Sequence, residues 1–152
     1  GGKNAAQRFQ VLPKLWPTSG AISSTKGTPM AKKKKRRNCN RVNPLTKATL
    51  EDQGYLVQNV EQSIPGTRGL KRDLYGFIDY LAISPHETLG VQATSLANTS
   101  ARRRKIMGDK REQARAWLAC PGRRLEVWGW GWDQASSSWS LDAREITWEE
   151  LA

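Results

Sequence analysis

Asp79 stands inside the run Gly76-Phe77-Ile78-Asp79-Tyr80-Leu81-Ala82-Ile83, which otherwise has the composition of a buried strand. A carboxylate in that setting is costly unless it is paired, hydrogen-bonded or holding a cation, so Asp79 marks a site. A second run, Leu89-Gly90-Val91-Gln92-Ala93-Thr94-Ser95, follows the turn-like Ser84-Pro85-His86-Glu87, and the two runs read as a hairpin. Side chains alternate along a strand, so Gln92 and Thr94 share a face. The hairpin therefore converges Asp79, Gln92 and Thr94 on one patch.

Gly76-Phe77-Ile78-Asp79 followed by Gln92-Ala93-Thr94 resembles the paired motif of the PD-(D/E)XK nuclease superfamily, the fold of many restriction enzymes and of archaeal-type Holliday junction resolvases. The first half matches Gly-x-x-Asp-aliphatic; the second departs from (Asp/Glu)-x-Lys. The resemblance implies a phosphodiester-cleaving site in which Asp79 and Gln92 hold Mg²⁺ or Mn²⁺ and Thr94 stands at the lysine position. An amide in place of a carboxylate weakens the grip on a hard cation, and the missing lysine removes a positive charge from the attacked phosphate.

The elements that must position these residues fall in the order the resemblance implies. Residues 43–53 read as a helix, with Pro44 in a tolerated early position, Leu45, Ala48 and Leu50 as its apolar face and Gly54 as terminator. Residues 55–60 alternate as a strand, the hairpin follows, and residues 99–119 read as a helix that Gly108 breaks or kinks, with Ile106, Ala114, Trp117 and Leu118 inward. Residues 125–132 form a further strand and residues 139–148 supply one more. The implied fold class is α/β, with a restriction-endonuclease-like core of helix, three-stranded sheet, helix and further strands. Its domain spans residues 41–152 behind an irregular, flexible basic tail at residues 1–40.

The charge is as uneven as the patterning. Residues 1–50 carry 12 Lys/Arg and no acid, whereas residues 51–152 carry 13 basic and 14 acidic residues, so the net +11 belongs to the tail. Lys32, Lys33, Lys34, Lys35, Arg36 and Arg37 lie in a segment too rich in Gly, Ser, Thr and Pro to bury a core. Such a run binds nucleic acid through counterion release, without sequence preference; the competing reading is a solubilising or targeting tail. The chain starts at Gly1 and Met30-Ala31 precedes the lysine run, a pattern expected if Met30 is the natural initiator and residues 1–29 are not native. An acid-free leader or processed pro-segment is the alternative.

A second basic cluster, Arg102-Arg103-Arg104-Lys105, opens the helix after the hairpin. Consecutive helical residues diverge, so one or two of them face the site, and Lys105 or Arg102 is the expected replacement for the missing lysine, with Arg103 another nucleic-acid contact. Lys71 and Arg72 are the competing source. Asp73 has the parity of Asp79 if the strand begins early, which makes it a third metal ligand; otherwise it caps a turn or pairs with Arg72 or Arg68. Glu51 and Asn43 on the first helix are alternative ligand positions. His86 is expected at the surface of its turn.

Trp128, Trp130 and Trp132 alternate with Gly129 and Gly131, placing three indoles on one strand face and leaving the other open to a close helix. The indoles either stack on unpaired bases or pack with Trp139 and Trp148 as a second core. No apolar run approaches membrane-spanning length, and Cys39 and Cys120 form neither a zinc pattern nor a disulfide framework, so a cytoplasmic, reducing setting is expected. The leading expectation is a divalent-metal-dependent DNA endonuclease, acting on branched DNA; a resolvase would work as a homodimer to cut two strands. The alternatives are a catalytically inactive nucleic-acid-binding protein of the same fold, or a structural protein of a nucleic-acid assembly.

Overall fold

A computed structural model describes residues 9–10 and 41–152 of the chain, so the lysine run at residues 32–37, Cys39 and the expectations about residues 1–29 lie outside the described residues, apart from the backbone of Phe9–Gln10. The described part is a mixed α/β fold. Helix α1 (Val42–Asp52) buries Val42, Thr46, Thr49 and Leu50, a stripe at helical spacing. Ala48, expected on that stripe, is exposed, because the neighbouring threonines take the inward positions. The helix ends in a Schellman motif: Gly54 lies at φ +90°, its N–H donates to Glu51 O at 3.0 Å, and Tyr55 N–H reaches back to Leu50 O at 3.2 Å.

The main sheet contains β1 (Phe9–Gln10), β2 (Leu56–Asn59), β5 (Tyr80–Ile83), β6 (Thr88–Ser95), β7 (Arg123–Asp133) and β8 (Ser138–Glu145), while β3 (Gln62–Ser63) and β4 (Lys71–Arg72) pair as a separate short ribbon. The spatial order is β1-β8-β7-β6-β5-β2, antiparallel throughout except between β6 and β7. That parallel pair requires a crossover, which α2 (Thr99–Met107) and α3 (Arg111–Leu118) provide. Gly108 breaks the helical segment expected over residues 99–119 into two helices, as its position implied. One correction concerns the tail: Phe9–Gln10, expected to be irregular, forms an edge strand on β8.

Alternation along the strands divides the core. Tyr80, Ala82, Leu89, Val91, Trp128, Trp130 and Leu141 pack beneath α1 with Val42 and Leu50. Phe77, Ile78, Leu125 and Val127 meet Ile106, Ala114 and Trp117 of the crossover helices on the opposite face. Gly90 is needed there, because an added Cβ would lie 2.9 Å from Ile78 Cδ1. Gly129 admits the start of α2: an added Cβ would overlap the Thr99 hydroxyl and meet Leu96 Cα at 3.3 Å.

Trp128 and Trp130 belong to the core. Trp128 and Trp130 are buried edge-to-face at 6.4 Å, their indole N–H groups donating to Glu126 Oε2 at 2.7 Å and to Thr46 Oγ1 at 2.9 Å. Trp132 packs edge-on against Trp139 at 5.6 Å. Trp148 does not join them, contrary to expectation; it is capped by the Arg115 guanidinium at 5.1 Å. Among the described residues, no helix is long and apolar enough to cross a membrane.

Candidate metal centre

Asp79 sits one residue before β5 and opposite Gln92, since Tyr80 pairs with Val91. Its backbone is held on both sides: Asp79 N–H donates to Val91 O, and Val60 N–H donates to Asp79 O, each at 2.9 Å. The side chain is 6 % exposed, and its Oδ2 accepts from Gln92 Nε2 at 2.6 Å and from Ala93 N–H at 2.8 Å. Asp79 and Gln92 thus meet as the hairpin implied. Thr94 is buried one pleat further along the same face, opposite Gly129, and makes no hydrogen bond to either of them.

Two more carboxylates reach Asp79. Glu61, Asp73 and Asp79 each offer an oxygen within 4.8 Å of the others. Asp73 arrives by a different route from the expected one. The strand does not extend back to Gly76; Tyr75 (φ +57°) and Gly76 (φ +80°) fold the chain into a left-handed turn, with Gly76 N–H donating to Asp73 O at 3.0 Å. Strand parity therefore plays no part in aiming Asp73 at the site. Glu61 follows β2, its N–H donating to Asn59 Oδ1 at 2.8 Å. It was missed in the sequence, although it is the only acid between Asp52 and Asp73 and directly follows the strand that pairs with β5.

Crowding controls the electrostatics. Burial, reinforced by the Asp73 charge, pushes the Asp79 carboxyl up to about 7 against the opposing pull of the Ala93 N–H. Lys71 answers part of this charge: its Nζ lies 2.7 Å from Glu61 Oε2, which holds the ammonium above its ordinary pKa with smaller contributions from Asp79 and Asp73. A divalent cation would relieve the same crowding, and three carboxylates form the hard donor set that Mg²⁺ or Mn²⁺ prefers, while Gln92, expected as an oxygen ligand, turns its NH2 group to Asp79.

The remaining candidates separate. Lys105 Nζ lies 3.5 Å from Gly76 O, in the turn that carries Asp73, and the Lys110 side chain lies over the same glycine. Arg103 points away from the site: its guanidinium donates to Glu145 O and Glu150 Oε1, each at 2.6 Å, fastening the C-terminal turn. Arg102 is half-buried and Arg72 exposed. Glu51 pairs with Lys47 at 3.7 Å on the outer side of α1, and the Asn43 carbonyl accepts from the Tyr80 hydroxyl at 3.2 Å. Both belong to the helix covering the opposite face of the sheet from Gln92. His86 is exposed, as expected of a turn residue. Comparison of the chain with protein-family models, with curated proteins and with solved structures gives no match.

Proposed function

We propose that this chain is a divalent-metal-dependent DNA endonuclease of the PD-(D/E)XK type. The observation that carries the reading is the convergence of Glu61, Asp73 and Asp79, with Gln92 hydrogen-bonded to the buried member. The antiparallel β2-β5-β6 unit followed by two crossover helices and a parallel β7 supports it, because the acidic residues and Gln92 lie in or beside that unit. Glu61, Asp73 and Asp79 would hold Mg²⁺ or Mn²⁺, with Gln92 orienting Asp79 through its NH2 group. A divalent ion there supplies Lewis-acid polarisation of a phosphate and a more acidic bound water.

The protein's own contribution is charge and position. Lys71 at Glu61, with Lys105 and Lys110 at Gly76, provides cations at the border of the acidic cluster, where a DNA phosphate needs them. The basic tail adds sequence-independent affinity. Incubation of the chain with linear, supercoiled and four-way DNA in Mg²⁺ or Mn²⁺ tests the reading: nicks that require the metal and vanish in Asp79→Ala are expected. Metal-independent cleavage, or equal cleavage by the variant, rejects it.

One observation favours a second reading, a nucleic-acid-binding protein that does not cleave. Thr94 stands at the family's lysine position, and Lys105 is engaged by the Gly76 carbonyl. Metal binding and DNA binding without nicking on any of the three substrates would select it.

A further inference from the structure

Tyr75 combines three properties that folding alone does not explain. Its side chain is 57 % exposed, and it makes no hydrogen bond among the described residues. Its backbone lies at φ +57°, a conformation that costs a bulky residue free energy that Gly or Asn would largely avoid. It also sits between chemically distinct groups. Asp73, two residues earlier, belongs to the acidic cluster. Gly76, the next residue, accepts Lys105 at its carbonyl and lies beneath Lys110, whose Cε would be 2.9 Å from an added Cβ.

An exposed aromatic ring and one member of an acidic cluster on a short turn, with two lysine side chains at the Gly76 end of that turn, match the parts of a nucleotide. A base has a π face, its phosphate has negative charge, and a metal-held phosphate needs carboxylates nearby. Stacking on an aromatic side chain requires a base free of its own stack, whereas the interior of a duplex offers none. We propose that Tyr75 stacks on an unpaired nucleobase and thereby sets the adjacent phosphate against the Glu61, Asp73 and Asp79 cluster, so that the preferred substrate is DNA with an unpaired, bulged nucleotide. The inference rests on the nuclease reading above and deepens it by naming the substrate class.

The test uses the full chain in Ca²⁺ with two oligonucleotide probes, each carrying one 2-aminopurine, either unpaired in a bulge or paired in a duplex. The wild-type chain is expected to bind the bulged probe more tightly and to quench its fluorescence. Tyr75→Phe keeps the ring and should retain both effects. Tyr75→Asn tolerates the left-handed turn without the ring, and should lose about 10-fold in affinity for the bulged probe, with the quench, while binding the duplex as before. Its thermal midpoint should be no lower than that of the wild-type chain, which separates loss of stacking from loss of fold. Equal affinity of Tyr75→Asn and the wild-type chain for the bulged probe overturns the proposal, as does an equal loss on both probes. Absence of any DNA binding by the wild-type chain overturns the nuclease reading as well, whereas metal-dependent nicking without discrimination between the probes overturns the stacking proposal alone.

Discussion

Gln92 donates its side-chain amide to Asp79 Oδ2 across the β5–β6 pair, and the same oxygen receives the Ala93 N–H. Asp79 is thereby oriented by groups belonging to its own hairpin, while the repulsion it experiences comes from Asp73 and Glu61 outside that hairpin. Orientation and charge crowding thus have separate sources, and substitution can separate them.

Removing the Asp79 charge should stabilise the metal-free protein. Burial pushes its carboxyl up to about 7, well above the ordinary carboxylate range, so above neutral pH the folded state holds a charge that water would solvate better. Asp79→Asn, compared with the wild-type chain by thermal melting in EDTA at pH 8, is expected to melt higher. Added Mn²⁺ should raise the midpoint of the wild-type chain and leave the variant unchanged. A variant that melts lower in EDTA would show that Asp79 is structurally paired instead of crowded.

Acid should weaken a second charged network, centred on Arg124. Arg124 on β7 binds Glu126 at 2.7 Å, Glu145 at 2.9 Å and Glu87 at 3.4 Å, and the Tyr55 hydroxyl donates to Glu87. The Tyr55 hydrogen bond and the Arg124 charge hold the Glu87 carboxyl below its ordinary range. A depressed folded pKa gives stability that is present above the unfolded value of about 4.3 and is lost as pH falls below it. Glu87→Gln should therefore cost about 1 kcal/mol or less at pH 7, discounted because the pair is partly solvated, and progressively less as pH falls through the lowered folded pKa. Burial and Glu87 push the Tyr55 hydroxyl up to about 12, so its stabilisation persists to about pH 10 and fades as pH rises through 12. Urea titrations at stepped pH measure the Glu87 effect, and ultraviolet titration of Tyr55→Phe against the wild-type chain measures the Tyr55 effect.

Gly129→Ala should destabilise the fold by about 1–3 kcal/mol, because the new methyl meets both a side chain and a main chain at the start of α2. Thr99→Ala removes the first obstacle but leaves Leu96 Cα, so the double variant should recover part of the loss. Urea midpoints of the four proteins check this; strict additivity would refute the contact.

Replacing Lys32, Lys33, Lys34, Lys35, Arg36 and Arg37 by Ser should flatten the dependence of DNA affinity on salt by several units, since each phosphate contact contributes about −0.9 to the log-log slope. Substitution is preferable to deletion of residues 1–40, which would also remove the strand on β8. Fluorescence anisotropy across a salt series measures the slope. An unchanged slope would leave the tail with no phosphate contacts.

The hairpin, the tryptophan strand and the glycines behind it were legible because they rest on alternation over adjacent residues. Gly54 likewise announced the end of α1. Glu61 was not legible, since nothing local links it to Asp79; the β2–β5 pairing and the small β3–β4 ribbon bring it there. Asp73 was found through an extended-strand argument, but the left-handed Tyr75-Gly76 turn delivers it, and a tyrosine at positive φ has no compositional warning. Arg103 could not be separated from Lys105 in a run of four cations until the C-terminal turn and its Glu150 were positioned beside it.

The crossover between β6 and β7 bears on the order of folding. Glu61, Asp73, Asp79 and Gln92 all lie before it, joined by the β2–β5 and β5–β6 pairings, whereas β7 must wait for residues 96–122 to loop back before it can join the sheet. Closing a long loop costs entropy before its contacts are made, so the shorter-range meander is favoured to form first. The three carboxylates that would bind metal, and the Gln92 that orients Asp79, therefore come together within a nascent half of the sheet. In pulse-labelled hydrogen exchange, Asp79 and Ala93 amides should gain protection ahead of the β7 amides, and a divalent ion present during refolding should accelerate that early step.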